Sequence, residues 1–211
     1  MVSKVLYRPF EESDFDAIAS MLQKIWHTSA DDDAYNFLSA CDDLAYSLSV
    51  STFSQVVVVD DAPCGIVLAR AAQDRSPRAG RWEQAEHDFL AQMRRVDPEE
   101  TERTMAFIRS EHAVNSAMLE DSALADADEI TLLAVSAEAR GMGIGGVLLD
   151  AAVSYLSSHG ARAAYLYTDT SCSWSFYERH GFTRAASHRS TREERKLLPR
   201  EMYLYGLDLS A

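Results

Sequence analysis

The heptapeptide Arg140-Gly141-Met142-Gly143-Ile144-Gly145-Gly146 decides how this chain is read. An apolar run from Glu129 to Val135 precedes it, and a helical pattern from about Gly146 to His159 follows, ending at Gly160. The glycines therefore occupy a strand-to-helix turn. Free backbone N–H groups at such a helix start point at whatever lies above the turn, which makes an anion site. A Cβ would hold a diphosphate away from those amides, and several of the positions call for φ > 0. Arg140 adds a charged donor.

Outward from this turn the elements alternate. Val2 to Arg8 reads as a strand, followed by a helix with Phe15, Ile18, Leu22, Ile25 and Trp26 at helical spacing; Ser13 and Asp16 fit a capping box at its start. A second helix follows Asp31-Asp32-Asp33, whose acidic residues suit a helix dipole better than a metal. Ser54 to Val59 and Cys64 to Ala69 form a hairpin around Asp60-Asp61-Ala62-Pro63. From Ala71 to Asp128 the rhythm breaks into a helical insertion. One helix there carries Trp82, Ala85, Phe89 and Met93; the other starts at Asp97-Pro98 and carries Met105, Ile108 and Leu119. Downstream, Ala163 to Thr168 is a strand, Ser173 to His180 a short helix, and Phe182 to His188 and Met202 to Leu209 two last strands. This order predicts an α/β fold, a mixed sheet with helices on its faces.

Composition bounds the function. The 211 residues are 47% apolar and 25% charged with nine glycines and five prolines, which excludes a disordered or fibrous chain and favours one domain, 1–211, with 71–128 inserted. A net charge of −13 works against nucleic acid and anionic membranes as partners. Cys41, Cys64 and Cys172 form no CxxC pair, and the six histidines show no paired metal spacing, so neither a disulfide framework nor a metal site is indicated. The N-terminus lacks an apolar signal core, and no apolar stretch is long enough to span a bilayer, so a cytoplasmic location is expected.

Gly141-x-Gly143-x-x-Gly146 also matches a dinucleotide fingerprint, with Asp169 where a ribose-binding acid would be wanted. Against it, Ser136 to Arg140 separate strand from glycine, and the 65 residues after Gly146 are too few for the remaining parallel strands. A glycine-rich turn without ligand is a further alternative.

A second constellation is Ser173-Trp174-Ser175-Phe176-Tyr177-Glu178-Arg179-His180 before Gly181-Phe182. With it, Glu129 to Phe182 resembles the GNAT superfamily of acyl-CoA-dependent N-acetyltransferases. Arg140-x-x-Gly143-x-Gly145 is similar to the family's coenzyme motif Gln/Arg-x-x-Gly-x-Gly/Ala. Phe176-Tyr177-x-x-x-Gly181-Phe182 is similar to its downstream motif. Thr170 stands where the family often has Asn, and Ser173 where Ala is usual.

The resemblance implies a mostly antiparallel sheet of about seven strands and acetyl-CoA as co-substrate, with no metal. Amides of Gly141, Met142, Gly143, Ile144, Gly145 and Gly146, with Arg140, would hold the pyrophosphate. The backbone of Leu133 and Val135 would pair with the pantetheine arm, with Thr170 and Ser173 nearby, and a small-molecule or peptide amine would attack the thioester directly. Tyr177 matches the general acid at the departing thiolate. Glu129, eleven residues before Arg140, matches the base of histone-acetylating members; an exposed acid at a strand start is an equal reading. A homodimer is compatible with the pattern. The runner-up is an acyl-CoA sensor or interaction module without catalysis.

Overall fold

The computed structural model describes residues 4–74, 76 and 78–210. Seven strands, β1 (Val5–Arg8), β2 (Phe53–Val59), β3 (Ala62–Arg70), β4 (Asp128–Val135), β5 (Ala163–Asp169), β6 (Thr183–Arg189) and β7 (Glu201–Asp208), form one sheet in the order β1-β2-β3-β4-β5-β7-β6. Every neighbouring pair is antiparallel except β4–β5. The mixed, mostly antiparallel sheet of seven strands expected from sequence is present. Residues 2 and 3 of the expected first strand lie outside the described residues.

Helices α1 (Phe15–Trp26), α2 (Asp33–Val50) and α3 (Ala79–Val96) cover the β1–β4 half on one face, and α4 (Pro98–Glu120) covers the β5–β7–β6 half. Helix α5 (Ile144–Ser158) packs on the opposite face, and the short α6 (Ser175–Arg179) follows β5. The stripe read from sequence docks α3: Trp82 and Met93 are buried, and Phe15 stacks between Trp82 (5.3 Å) and Phe89 (5.6 Å). Asp32 caps α2 through the amide of Ala34 (2.8 Å), and Asp97 caps α4 through that of Glu100 (2.9 Å), with Pro98 at the first helical position.

Three local expectations are corrected. The expected capping box of Ser13 and Asp16 is replaced by Asp14, whose carboxylate accepts from the Glu11 amide (2.9 Å). The same carboxylate is gripped by the Arg8 guanidinium at 2.6 and 2.7 Å, an ion pair that fixes the chain entering α1. The hairpin turn is only Asp60-Asp61, both at positive φ, so Ala62 and Pro63 belong to β3. Helix α5 begins at Ile144 rather than near Gly146, because the Ile144 side chain is buried in the core and pulls the first turn inward.

The register of β3 against β4 slips between Leu68 and Ala69, leaving Thr131 as an extra residue in β4. The bulge puts Ile130, Leu133 and Val135 in the α5-side core while Leu132 and Ala134 face α1 and α2. Beyond it β4 diverges from β5.

Candidate active site

The parallel ladder between β4 and β5 consists of Asp128 with Ala164 and Glu129 with Tyr165. Past Glu129 the two strands part. Leu133 and Val135 pair with Val67 and Gly65 of β3, and their strand's other edge borders the gap. At its wide end β4 passes through a 3₁₀ turn (Ala137–Ala139) and exposed Arg140 into the glycine turn.

Gly141 (φ +81°) and Gly143 (φ +78°) are left-handed, a conformation that costs an L side chain about 1–2 kcal/mol. A Cβ at either would meet nothing within 4 Å, so the turn is open beside both glycines. The first helical bond runs from Val147 N–H to Gly143 C=O (3.4 Å), leaving the amides of Ile144, Gly145 and Gly146 without a helical acceptor. The turn thus leaves free donors at a helix start, which suits an anion.

Gly145 and Gly146 have a second reason to be glycine. A Cβ on Gly145 would stand 3.4 Å from the Phe176 ring, and one on Gly146 3.0 Å from His180 Nε2. Helix α6 therefore presses on the first turn of α5. His180 is held by its Nδ1 against the Phe176 carbonyl (2.8 Å). The two sequence motifs meet through these contacts.

Tyr177, on α6, sits edge-on to Phe176 (5.3 Å) and Phe182 (6.0 Å), and burial pushes its hydroxyl well above the ordinary tyrosine range. Neighbouring Cys172 is also raised, by burial and by Asp169, so its thiol stays protonated. Thr170 is clipped to β7, its amide donating to the Glu201 carbonyl (3.1 Å) and its hydroxyl accepting from the Glu201 amide (3.4 Å). The Ser173 carbonyl accepts from the Phe176 amide (2.9 Å), opening α6.

At the narrow end of the gap, Glu129 is not alone. Arg70 Nη2 donates to Glu129 Oε2 at 2.5 Å and lies 3.3 Å from the Tyr165 hydroxyl. Burial raises the Glu129 pKa, with Arg70 and Tyr165 pulling the other way; Tyr165 itself is pushed up to about 12, chiefly by burial. From α2, Tyr46 reaches His112 of α4 through Oη···Nε2 at 3.2 Å, and Glu129 is among the charges that raise Tyr46. Next to His112, half-buried Glu111 is raised to about 7 by burial, then by Asp43 and Asp169.

Arg70, Tyr165, Tyr46, Glu111 and His112 escaped the sequence reading. Arg70 stands one residue past the strand read from sequence, Cys64 to Ala69, and only the register of β3 on β4 sets it opposite Glu129. Among the described residues no group of three or more His, Cys, Asp or Glu side chains could hold a metal, and no helix is long and apolar enough to cross a membrane.

The chain's architecture is similar to that of the ribosomal-protein-S18-alanine N-acetyltransferase of Escherichia coli (TM-score 0.57, 12% identity, 99% of this chain and 96% of that one). It is similar also to Ard1 of Thermoplasma volcanium (0.55, 16%, 97% of each). A third is an IAA acetyltransferase of Bacillus cereus (0.51, 13%, 97% and 99%). At such identities these likenesses speak for the fold. Among curated proteins none matches at the level of sequence. The sequence model of the acetyltransferase (GNAT) family, however, matches residues 15–182, taking in the β4–α5 turn, α6 and the Arg70–Glu129 pair, and the chain belongs to that family.

Proposed function

We propose that this protein is an N-acetyltransferase that moves an acetyl or other short acyl group from acetyl-CoA to a primary amine, by direct attack in a ternary complex. The observation that carries this reading is the left-handed pair Gly141 and Gly143, baring helix-start amides at the mouth of the β4–β5 gap. In it, the amides of Gly141 to Gly146 and the exposed Arg140 take the pyrophosphate. The pantetheine arm lies along the open edge of β4 at Leu133 and Val135, past Thr170 and Ser173, and a β4 amide polarises the thioester carbonyl. Gly145 and Gly146 also let α6, which carries Tyr177, pack on the first turn of α5.

Tyr177 supplies the hydrogen bond to the departing sulfur. Its raised pKa keeps it protonated, so it acts as a donor at all physiological pH. With ordinary pKa values near 10 for tyrosine and 8.5 for a thiol, complete proton transfer is uphill by roughly 2 kcal/mol. A strong hydrogen bond in the transition state is the more economical role. Glu129, with Arg70, marks the acceptor end. The net charge of −13 favours a cationic acceptor, whether small molecule or peptide. We read residues 1–211 as one domain, with 71–128 inserted on the acceptor side.

A non-catalytic acyl-CoA-binding module is the second reading, favoured by the ion pair with Arg70, which occupies the carboxylate expected to act as base. Two measurements test the proposal. Replacing Gly143 with valine should weaken acetyl-CoA binding at least tenfold in calorimetry, and unchanged affinity would refute the pyrophosphate assignment. Acetyl-CoA-dependent thiol release on a library of primary amines separates enzyme from module, since a module binds the coenzyme and releases none.

A further inference from the structure

Helix α6 has only five residues, none of them buried, and no side chain caps its start, so it cannot hold itself. It is gripped from two sides. Phe176 rests against Gly145 of α5. Two residues on, Glu178 accepts a hydrogen bond from the Tyr205 hydroxyl of β7 (2.8 Å). That hydroxyl in turn accepts from Arg184 of β6, through Nη2 at 2.8 Å and Nε at 3.1 Å, and Arg184 Nη2 lies 3.6 Å from the same Glu178 oxygen. Arg184 and Tyr205 are direct partners across the β6–β7 ladder, just before the register slips at Ala185. The guanidinium lies 3.9 Å from the centre of the Tyr203 ring, 5.1 Å from that of Trp174 and 5.4 Å from that of Tyr205. Trp174 is the residue from which α6 starts. One cation thus ties two strands to both ends of α6. Tyr177 stands between the two gripped residues, Phe176 and Glu178, and its ring meets that of Tyr205 at 6.4 Å.

We infer that Arg184 is a positioning residue for Tyr177: through Tyr205 and Glu178 it fixes the turn of α6 that aims the Tyr177 ring. The inference rests on the transfer reading above, in which the Tyr177 hydroxyl meets the departing sulfur. A donor needed only in the transition state is sensitive to placement, and a shift of about 1 Å can cost on the order of 100-fold in rate. Arginine suits the post because its planar fork bonds the hydroxyl twice while stacking on Tyr203, which the compact ammonium of lysine cannot do.

The test compares wild type, Arg184→Met, Glu178→Ala and Glu178→Gln, with a linear diamine, an aminoglycoside and a lysine peptide as acceptors. Arg184→Met should lower kcat by about 10- to 30-fold, with the amine KM and the acetyl-CoA affinity from calorimetry within about twofold of wild type. In the Tyr177→Phe background the same substitution should cost less than about twofold, because the hydroxyl it places is gone. Glu178→Ala should behave like Arg184→Met, whereas Glu178→Gln, which keeps an acceptor for Tyr205, should restore kcat to within about threefold of wild type. A merely structural arginine would lower kcat by the same factor with and without the Tyr177 hydroxyl, and that result overturns the inference. So does an undiminished kcat in Arg184→Met. If that variant does not fold, equal kcat in Glu178→Ala and Glu178→Gln overturns it. Fluorine-19 NMR of the acetyl-CoA complex, with 3-fluorotyrosine at position 177, reads the ring without any turnover. Its resonance should move in Arg184→Met and stay in place in Glu178→Gln; an unmoved resonance in Arg184→Met overturns the positioning role. A wild-type protein that binds acetyl-CoA and releases thiol with none of these amines overturns the transfer reading, while the resonance still decides the role of Arg184.

Discussion

The His180 ring stands with Nε2 3.0 Å from the place a Cβ on Gly146 would occupy. That distance links the helix under the coenzyme turn to the helix that carries Tyr177, so a change in one is felt by the other. Valine at 146 would have to push the ring off its bond to the Phe176 carbonyl. We expect Gly146→Val to destabilise the fold by about 1–3 kcal/mol and to lower kcat. Adding His180→Ala should recover part of the stability, because the two groups are in direct contact. Thermal unfolding of the two single variants and the double variant checks this, and strictly additive effects would contradict it.

Tyr177→Phe keeps the ring among Phe176 and Phe182 and removes only the hydroxyl. Turnover should fall by about 100-fold, the lower end expected of a lost acid, while acetyl-CoA affinity stays within about twofold. Because burial raises the hydroxyl, no activity limb belonging to Tyr177 should fall below pH 10 in wild type. Steady-state kinetics with calorimetry decides it; wild-type turnover in the variant would remove Tyr177 from the chemistry.

Arg70 holds a carboxylate that is only 17% exposed, while its own side chain is 43% exposed, so solvent discounts the pair. Arg70→Met should cost about 1–2 kcal/mol at pH 7.5, by leaving Glu129 buried and unpaired. The sign with pH follows from linkage. Glu129 already titrates above its ordinary 4.5, and losing Arg70 raises it further. The deficit is then full above the folded pKa and vanishes as pH falls below 4.5, where the carboxyl is neutral in both states. Melting temperatures of variant and wild type should converge between pH 7.5 and pH 4.5; a constant gap would argue against the pair.

What was legible in the sequence was what depends on near neighbours. The glycine turn, the Phe176-Tyr177 segment before Gly181-Phe182, and the stripe Trp82, Phe89 and Met93 each sit within one element or one turn. Periodicity and backbone freedom suffice to find them. The Arg70–Glu129 pair joins residues far apart in sequence, and it exists because β3 and β4 take one register with a slip at Thr131. Glu111 and His112 read as ordinary polar residues of a surface helix. The bond of His112 to Tyr46 is set by how α4 docks on the sheet, which no local pattern records. Helix α5 starts earlier than its sequence suggests for a related reason: glycine is a poor helix former, yet burial of Ile144 outweighs that preference. The hairpin at Asp60-Asp61 was legible but reads two residues too long, because aspartate adopts positive φ less often than glycine and so marks the tight turn weakly.

Asp42 gives the last prediction. It lies on α2 in the interface with α3, 8% exposed, with Oδ1 lacking a hydrogen-bond partner among the described residues. Burial foremost, with Glu86 on α3 and Asp43, raises its pKa to about 7; His27 and Arg94 pull the other way without prevailing. In the unfolded chain it titrates near 3.8, so the folded state prefers the neutral acid. Its ionisation therefore erodes stability as pH rises from about 4 to about 7, and the penalty is complete above that. Asn at this position is neutral throughout and nearly isosteric. Asp42→Asn should be close to wild type in stability below about pH 4 and more stable at pH 8, by on the order of 2 kcal/mol. Denaturant unfolding at the two pH values reads the difference. A variant less stable than wild type at pH 8 would mean that the Asp42 carboxylate is ionised and satisfied in the folded protein.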